Sequence, residues 1–168
     1  MSKRALKKYL ASLEADALRE QLLDLYERFP QVKEFYDFAF NPKEDKRMEE
    51  ARARILKEYF PKTRRRPRAR RSVAQKYLRH FQTLGVDPDL VADLMGFNLE
   101  TALRYERTRR CPDAFYKSML NSATQWVEYL AAQGLLEANR QRVQAYLDAV
   151  LEAGWPFAPG FERLADNL

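Results

Sequence analysis

The sequence has one cysteine and one histidine in 168 residues. A single cysteine excludes an internal disulfide framework and fits a reducing cytoplasm, which is the expected location. His80 and Cys111 stand 31 residues apart with no motif joining them, so a zinc site or a nucleophile–histidine triad lacks its usual parts. No glycine-rich phosphate loop and no Gly-x-Ser-x-Gly elbow occurs. With 5 glycines and 8 prolines the chain is too poor in both to be low-complexity or collagen-like. No apolar run approaches the roughly 20 residues of a membrane span. Lys3, Arg4, Lys7 and Lys8 leave no apolar stretch of the signal-peptide kind at the start. These absences predict a protein with no catalytic residues, no metal ligands and no cofactor. An enzyme built only from carboxylates on a helical bundle is the remaining catalytic reading, and acids on helices more often form a solvated face.

What is present is a helical pattern with enough apolar mass to fill a core: 46% of residues are hydrophobic and 12% aromatic. Leu6, Tyr9, Leu10 and Leu13 recur at helical spacing, as do Leu18, Leu22, Leu25 and Phe29 before a break at Pro30. Val32, Phe35, Tyr36 and Phe40 continue the stripe. Asn41-Pro42-Lys43-Glu44 and Ser72-Val73-Ala74-Gln75 read as helix starts, the second as a capping box. Asp87-Pro88 starts a further helix, which Gly96 is expected to interrupt and Asn98 to recap, with the second part running to about Arg110. Long helices follow from Pro112 or Asp113 to Gly134 and from Leu136 to about Ala153, with Gly85 and Gly154 marking other ends. The tail with Trp155, Phe157 and Phe161 is expected to fold back onto the core. No strand pattern appears. The expectation is an all-α fold, residues 1–168 forming a single domain of seven or eight helices joined by short turns.

Charge is the least uniform property. Lys and Arg number 30 against 24 Asp and Glu, a net charge of +6. Lys62, Arg64, Arg65, Arg66, Arg68, Arg70 and Arg71 lie within ten positions that contain no acid, and without them acids outnumber bases by one. Seven like charges repel one another, so folding stability alone does not account for the cluster. A polyanion relieves the repulsion, because each neutralised phosphate releases a condensed counterion and arginine binds phosphate in a two-pronged fashion. The run, with Pro67 at its centre, is expected to be an exposed loop that contacts DNA or RNA. Lys76, Arg79 and the cations from Arg104 to Arg110 are expected to extend the surface. A helical adaptor that meets an acidic protein partner through the same loop is the alternative.

Two resemblances bear on these expectations. Val91, Ala92, Leu94, Met95, Gly96, Phe97, Ala102 and Tyr105 resemble the spacing of a helix-turn-helix. That resemblance implies a reading helix at 99–109 presenting Glu100, Thr101, Arg104 and Thr108 to a major groove. Ordinary helix packing around a glycine break is the competing reading. Over most of its length the chain also resembles an uncharacterised bacterial family, domain of unknown function 6155. The residues that carry this likeness include the opening from Ser2 to Leu10, Phe35-Tyr36-Asp37-Phe38 with Asn41-Pro42, and the stretch from Arg71 to Tyr77. Gly85-Val86-Asp87-Pro88, Ala92-Asp93-Leu94-Met95 and the segment from Ala114 to Leu120 complete it. The likeness implies a small helical bacterial protein and brings no activity, cofactor or site residue with it.

Overall fold

Prolines and glycines punctuate this chain, and the helices obey most of them. The computed structural model describes residues 2–62 and 66–168, among which there are nine α-helices and no strand. Their contacts divide the chain into two compact units, Met1–Lys43 and Glu44–Leu168.

The first unit contains α1 (Lys3–Ala11), α2 (Ala15–Arg28) and α3 (Pro30–Phe40). Ser2 caps α1, its hydroxyl accepting from the Ala5 amide at 3.2 Å. Phe29 is extended and ends α2, while Pro30 opens α3 from the first helical position. The two helices form a hairpin in which the Tyr26 hydroxyl donates to Asp37 at 2.8 Å. Tyr36 meets the rings of Tyr26, Phe35 and Phe40. Phe38 alone is buried among the described residues of this unit, and Leu22, Leu23, Phe35 and Phe40 remain exposed.

The second unit contains α4 (Glu44–Tyr59), α5 (Arg71–Leu84), α6 (Pro88–Glu106), α7 (Asp113–Ala132), α8 (Leu136–Glu152) and α9 (Ala158–Asp166). Helix α6 is the axis of the core. It buries 11 of its 19 residues and packs against α4, α5, α7 and α8. Asp87 caps it by accepting from the Asp89 amide at 2.8 Å, and Pro88 occupies its first turn. Gly85, Gly134 and Gly154 follow α5, α7 and α8 with positive φ, as the pattern predicts. The tail does fold back, as helix α9. Trp155 and Phe161 are buried, and Trp155 meets Phe115, Tyr116 and Phe161, while Phe157 stays exposed.

Three local expectations fail, each for a tertiary reason. First, Gly96 does not interrupt a helix: α6 runs unbroken from Pro88 to Glu106. A Cβ at Gly96 would stand 2.8 Å from Trp126 Cζ2 and 2.9 Å from Arg142 Cζ. Glycine is there because α7 and α8 press side chains onto that turn, not because the chain bends. Without a turn there is no helix-turn-helix, and Thr101 is buried. Second, the Ser72–Gln75 capping box does not form. Helix α5 starts two residues earlier than that box requires, its N-cap position Arg70 supplies no side-chain bond, and the Gln75 side-chain amide donates instead to Gln125 at 3.1 Å. Third, Asn41 ends α3 and does not begin α4; Glu44 is the first residue of α4 and accepts from the Asp87 amide at 3.1 Å.

Candidate functional site

Helix α4 turns Met48, Ala51, Ile55 and Tyr59 into the core, which sends Arg54 and Lys57 outward, one turn apart. Helix α5 buries Ala74, Leu78, Phe81 and Leu84, and its opposite face carries Ser72, Lys76 and Arg79. Residues 60–70 connect the two helices. Between them lies an open groove of about 1150 Å³. Arg54, Lys57, Arg66, Arg68, Arg70, Lys76 and Arg79 line it with cations, and Pro61, Pro67, Val73 and Tyr77 provide apolar surface.

Glu58 is the one acid on the groove wall among the described residues. Its carboxylate accepts from Arg70 Nε at 2.9 Å and from Arg70 Nη2 at 2.8 Å, a two-point ion pair. Its backbone carbonyl accepts from the amides of Arg68 and Ala69 at 3.1 and 3.0 Å. The Arg70 guanidinium holds the Glu58 carboxyl below its ordinary value, against the opposing effect of partial burial. The acid is therefore already charge-compensated, and it fixes the connection to the end of α4. Arg54, Lys57, Arg66, Arg68 and Lys76 form no ion pair among the described residues. Arg79 donates from Nε to the Gln75 carbonyl at 3.2 Å.

The basic run is thus not one exposed loop. Arg66 and Arg68 are exposed and line the groove. Lys62 is exposed but does not line it. Arg64 and Arg65 lie outside the described residues. Arg70 is tied to Glu58. Arg71 belongs to α5 and reaches α7, donating to Ser122 Oγ at 2.8 Å and Gln125 Oε1 at 2.7 Å. It is half-buried, and desolvation pushes its guanidinium below the ordinary arginine value. Lys76 and Arg79 line the groove. Beside it, a smaller hollow of about 420 Å³ is lined by Arg71, Ser72, Gln75, Arg79 and Gln125.

Arg54, Lys57 and Tyr77 were not legible as site residues. The signal was a basic pair three residues apart on each flanking helix, hidden in α4 by nearby Glu49, Glu50 and Glu58. Conversely, the supposed reading helix is engaged elsewhere. Glu100 accepts from Arg142 Nε at 2.7 Å and Nη2 at 3.1 Å, while Asp93 accepts from Arg142 Nη1 at 2.9 Å and from Arg52. Arg104 lies over the Phe60 ring and Arg109 over Tyr105. None of these lines the groove.

His80 is half-buried beside Phe81, and Cys111 is buried and forms no disulfide. Among the described residues no cluster of three or more His, Cys, Asp or Glu is placed to hold a metal ion. No helix among them is long and apolar enough to cross a membrane.

A family model described as a family of unknown function (DUF6155) matches residues 1–168. The chain belongs to that family. No curated protein matches it, and no solved structure does. The likeness read from the sequence therefore holds over the full chain, and the chemistry of the groove carries the functional argument.

Proposed function

We propose that this protein is a nucleic-acid-binding module, not an enzyme, and that the groove between α4 and α5 is its contact surface. The observation that carries the reading is the imbalance of the groove wall: among the described residues, seven cations and a single acid, whose charge Arg70 already answers. Concentrating like charges on one wall costs free energy that a phosphate backbone returns through ion pairing and counterion release. The cations come from both helices and from the segment between them, so a strand in the groove meets them on either side. Arg66, Arg68, Lys76 and Arg79 are shared with the expectation from sequence, and Arg54 and Lys57 extend it across α4. Lys62 flanks the surface. A cytoplasmic location fits this reading, since Cys111 is buried as a free thiol.

The test is fluorescence anisotropy of labelled DNA and RNA oligonucleotides titrated with the protein at increasing salt. Binding at low salt that weakens steeply as salt rises supports the reading. An acidic polypeptide such as polyglutamate serves as the competing ligand. If it binds while the oligonucleotides do not, the adaptor for an acidic protein takes over.

A further inference from the structure

The shape and chemistry of the groove say more than its charge. We infer that its ligand is single-stranded nucleic acid, running through the α4–α5 groove with its phosphates on the cations of either helix and its bases against the Pro61, Pro67, Val73 and Tyr77 surface. This inference rests on the nucleic-acid reading above and adds the strand state and the path.

Three observations support it. The cations line a recess between adjacent helices, on Arg54 and Lys57 from one side and Lys76 and Arg79 from the other. A duplex is read by an element that projects into its groove or by a surface that follows its outside. A recess bounded by two helices and their connection instead admits a strand whose bases are free to turn inward.

Second, the recess combines cations with apolar and aromatic surface. Tyr77 is half-buried and makes a single tilted ring contact along α5, with Phe81 at 6.1 Å. Stacking on an aromatic ring is available to every base once it is unpaired, and it is indifferent to sequence. In a duplex the base faces are already stacked on one another, and the apolar surface would have nothing to receive.

Third, a second hollow adjoins the recess on the far side of α5. Ser72 and Arg79 line both the groove and the smaller hollow beyond, where Gln75 and Gln125 add side-chain amides. A strand that crosses α5 at Ser72 and Arg79 leaves a cationic, apolar stretch and enters one lined by hydroxyl and amide groups. These are the groups that hydrogen-bond exposed base edges. Arg71 stiffens this second stretch by holding Gln125 and Ser122.

The experiment compares a labelled single-stranded 12-mer of DNA, the same sequence in RNA, and the corresponding DNA duplex, each titrated with the full chain at low salt. The expected result is that one or both single strands bind at least about tenfold tighter than the duplex. Tyr77→Leu is expected to weaken single-strand binding by about tenfold while Tyr77→Phe retains it. Circular dichroism reports whether each variant keeps its helices. Ultraviolet crosslinking of the wild-type protein to the single strand, with the adduct mapped by mass spectrometry, gives a reading that needs no variant; an adduct on Tyr77 is expected. Duplex binding as tight as single-strand binding, or adducts only outside the groove, overturns the inference and leaves nucleic-acid binding standing. Failure of all three oligonucleotides to bind overturns the proposed function itself.

Discussion

Glu58 near the end of α4 and Arg70 just before α5, both on the groove wall, are joined by two hydrogen bonds of 2.8 and 2.9 Å, and the Glu58 carbonyl receives the amides of Arg68 and Ala69. One residue therefore does two jobs. It anchors the connection to the end of α4, and it cancels one of the seven groove cations among the described residues. Replacing its carboxylate separates the two. Glu58→Gln keeps the backbone bonds, frees the Arg70 guanidinium and removes the only acid on the groove wall among the described residues. The thermal midpoint is expected to fall by a few degrees, and affinity for oligonucleotides at low salt is expected to rise. Thermal unfolding and anisotropy titration on the same sample check both. A fall in affinity with the fold intact would mean that Glu58 orders the groove more than it opposes the ligand.

The same pair predicts a pH dependence. The Glu58 carboxyl sits below its ordinary value of 4.5 in the folded protein, held there first by the hydrogen bonds from Arg70. A carboxyl with a depressed folded value stabilises fully above its unfolded value and loses that stabilisation as pH falls through the folded one. The stability gap between wild type and Glu58→Gln should be widest near neutral pH and should close progressively below pH 4.5. Denaturant unfolding of both proteins across that range measures it. A gap that is constant with pH would show that the lost stability comes from packing and not from charge.

Gly96 separates two accounts of α6. If the glycine were a flexible break, alanine would stabilise the helix by up to about 1 kcal/mol. A Cβ there would instead meet Trp126 at 2.8 Å and the Arg142 guanidinium at 2.9 Å. Trp126 is fully buried, and Arg142 is held by Glu100 and Asp93, so neither neighbour moves freely. Overpacking of this kind costs about 1–3 kcal/mol and outweighs the propensity gain. Gly96→Ala is expected to lower stability, as denaturant unfolding would show. Unchanged or increased stability would refute the close-packed reading.

Within the basic run, the arginines should differ in what they do. Arg71→Ser removes bonds to Ser122 and Gln125 from a half-buried side chain and should lower the thermal midpoint measurably. The double variant Arg66→Ser and Arg68→Ser should leave it nearly unchanged, because both side chains are exposed and form no ion pair among the described residues. Equal destabilisation in both would mean that the groove cations are part of the scaffold.

The boundaries that could be read from the sequence are those set by the backbone itself. Pro30 and Pro88 fix φ and start helices, and Gly85 and Gly134 end them with positive φ, whatever packs nearby. Gly96 was misread because a glycine inside an apolar helical stripe looks the same whether it bends the chain or admits a neighbour; the deciding atoms belong to α7 and α8, 30 and 46 residues away. Gln75 likewise has a partner on α7, 50 residues distant, which no local capping rule can see. At the site, the basic run announced itself by composition, but its division did not. Arg70 and Arg71 are recruited by Glu58 and by Ser122 with Gln125, while Arg54 and Lys57 join the groove from a helix whose acids conceal them.

If α4 and α5 together form a phosphate-binding groove, the salt dependence of single-strand binding changes when the α4 cations are removed. Arg54, Lys57, Arg66, Arg68, Lys76 and Arg79 are, among the described residues, the six groove cations not ion-paired to Glu58. If each meets a phosphate, the slope of log affinity against log salt is about −4 for a single strand. Arg54→Ser with Lys57→Ser should flatten that slope by about 1.4 while leaving the thermal midpoint within a few degrees. Absence of binding at low salt, or a wild-type slope that the double variant leaves unchanged, would mean that α4 and α5 do not form a phosphate-binding groove.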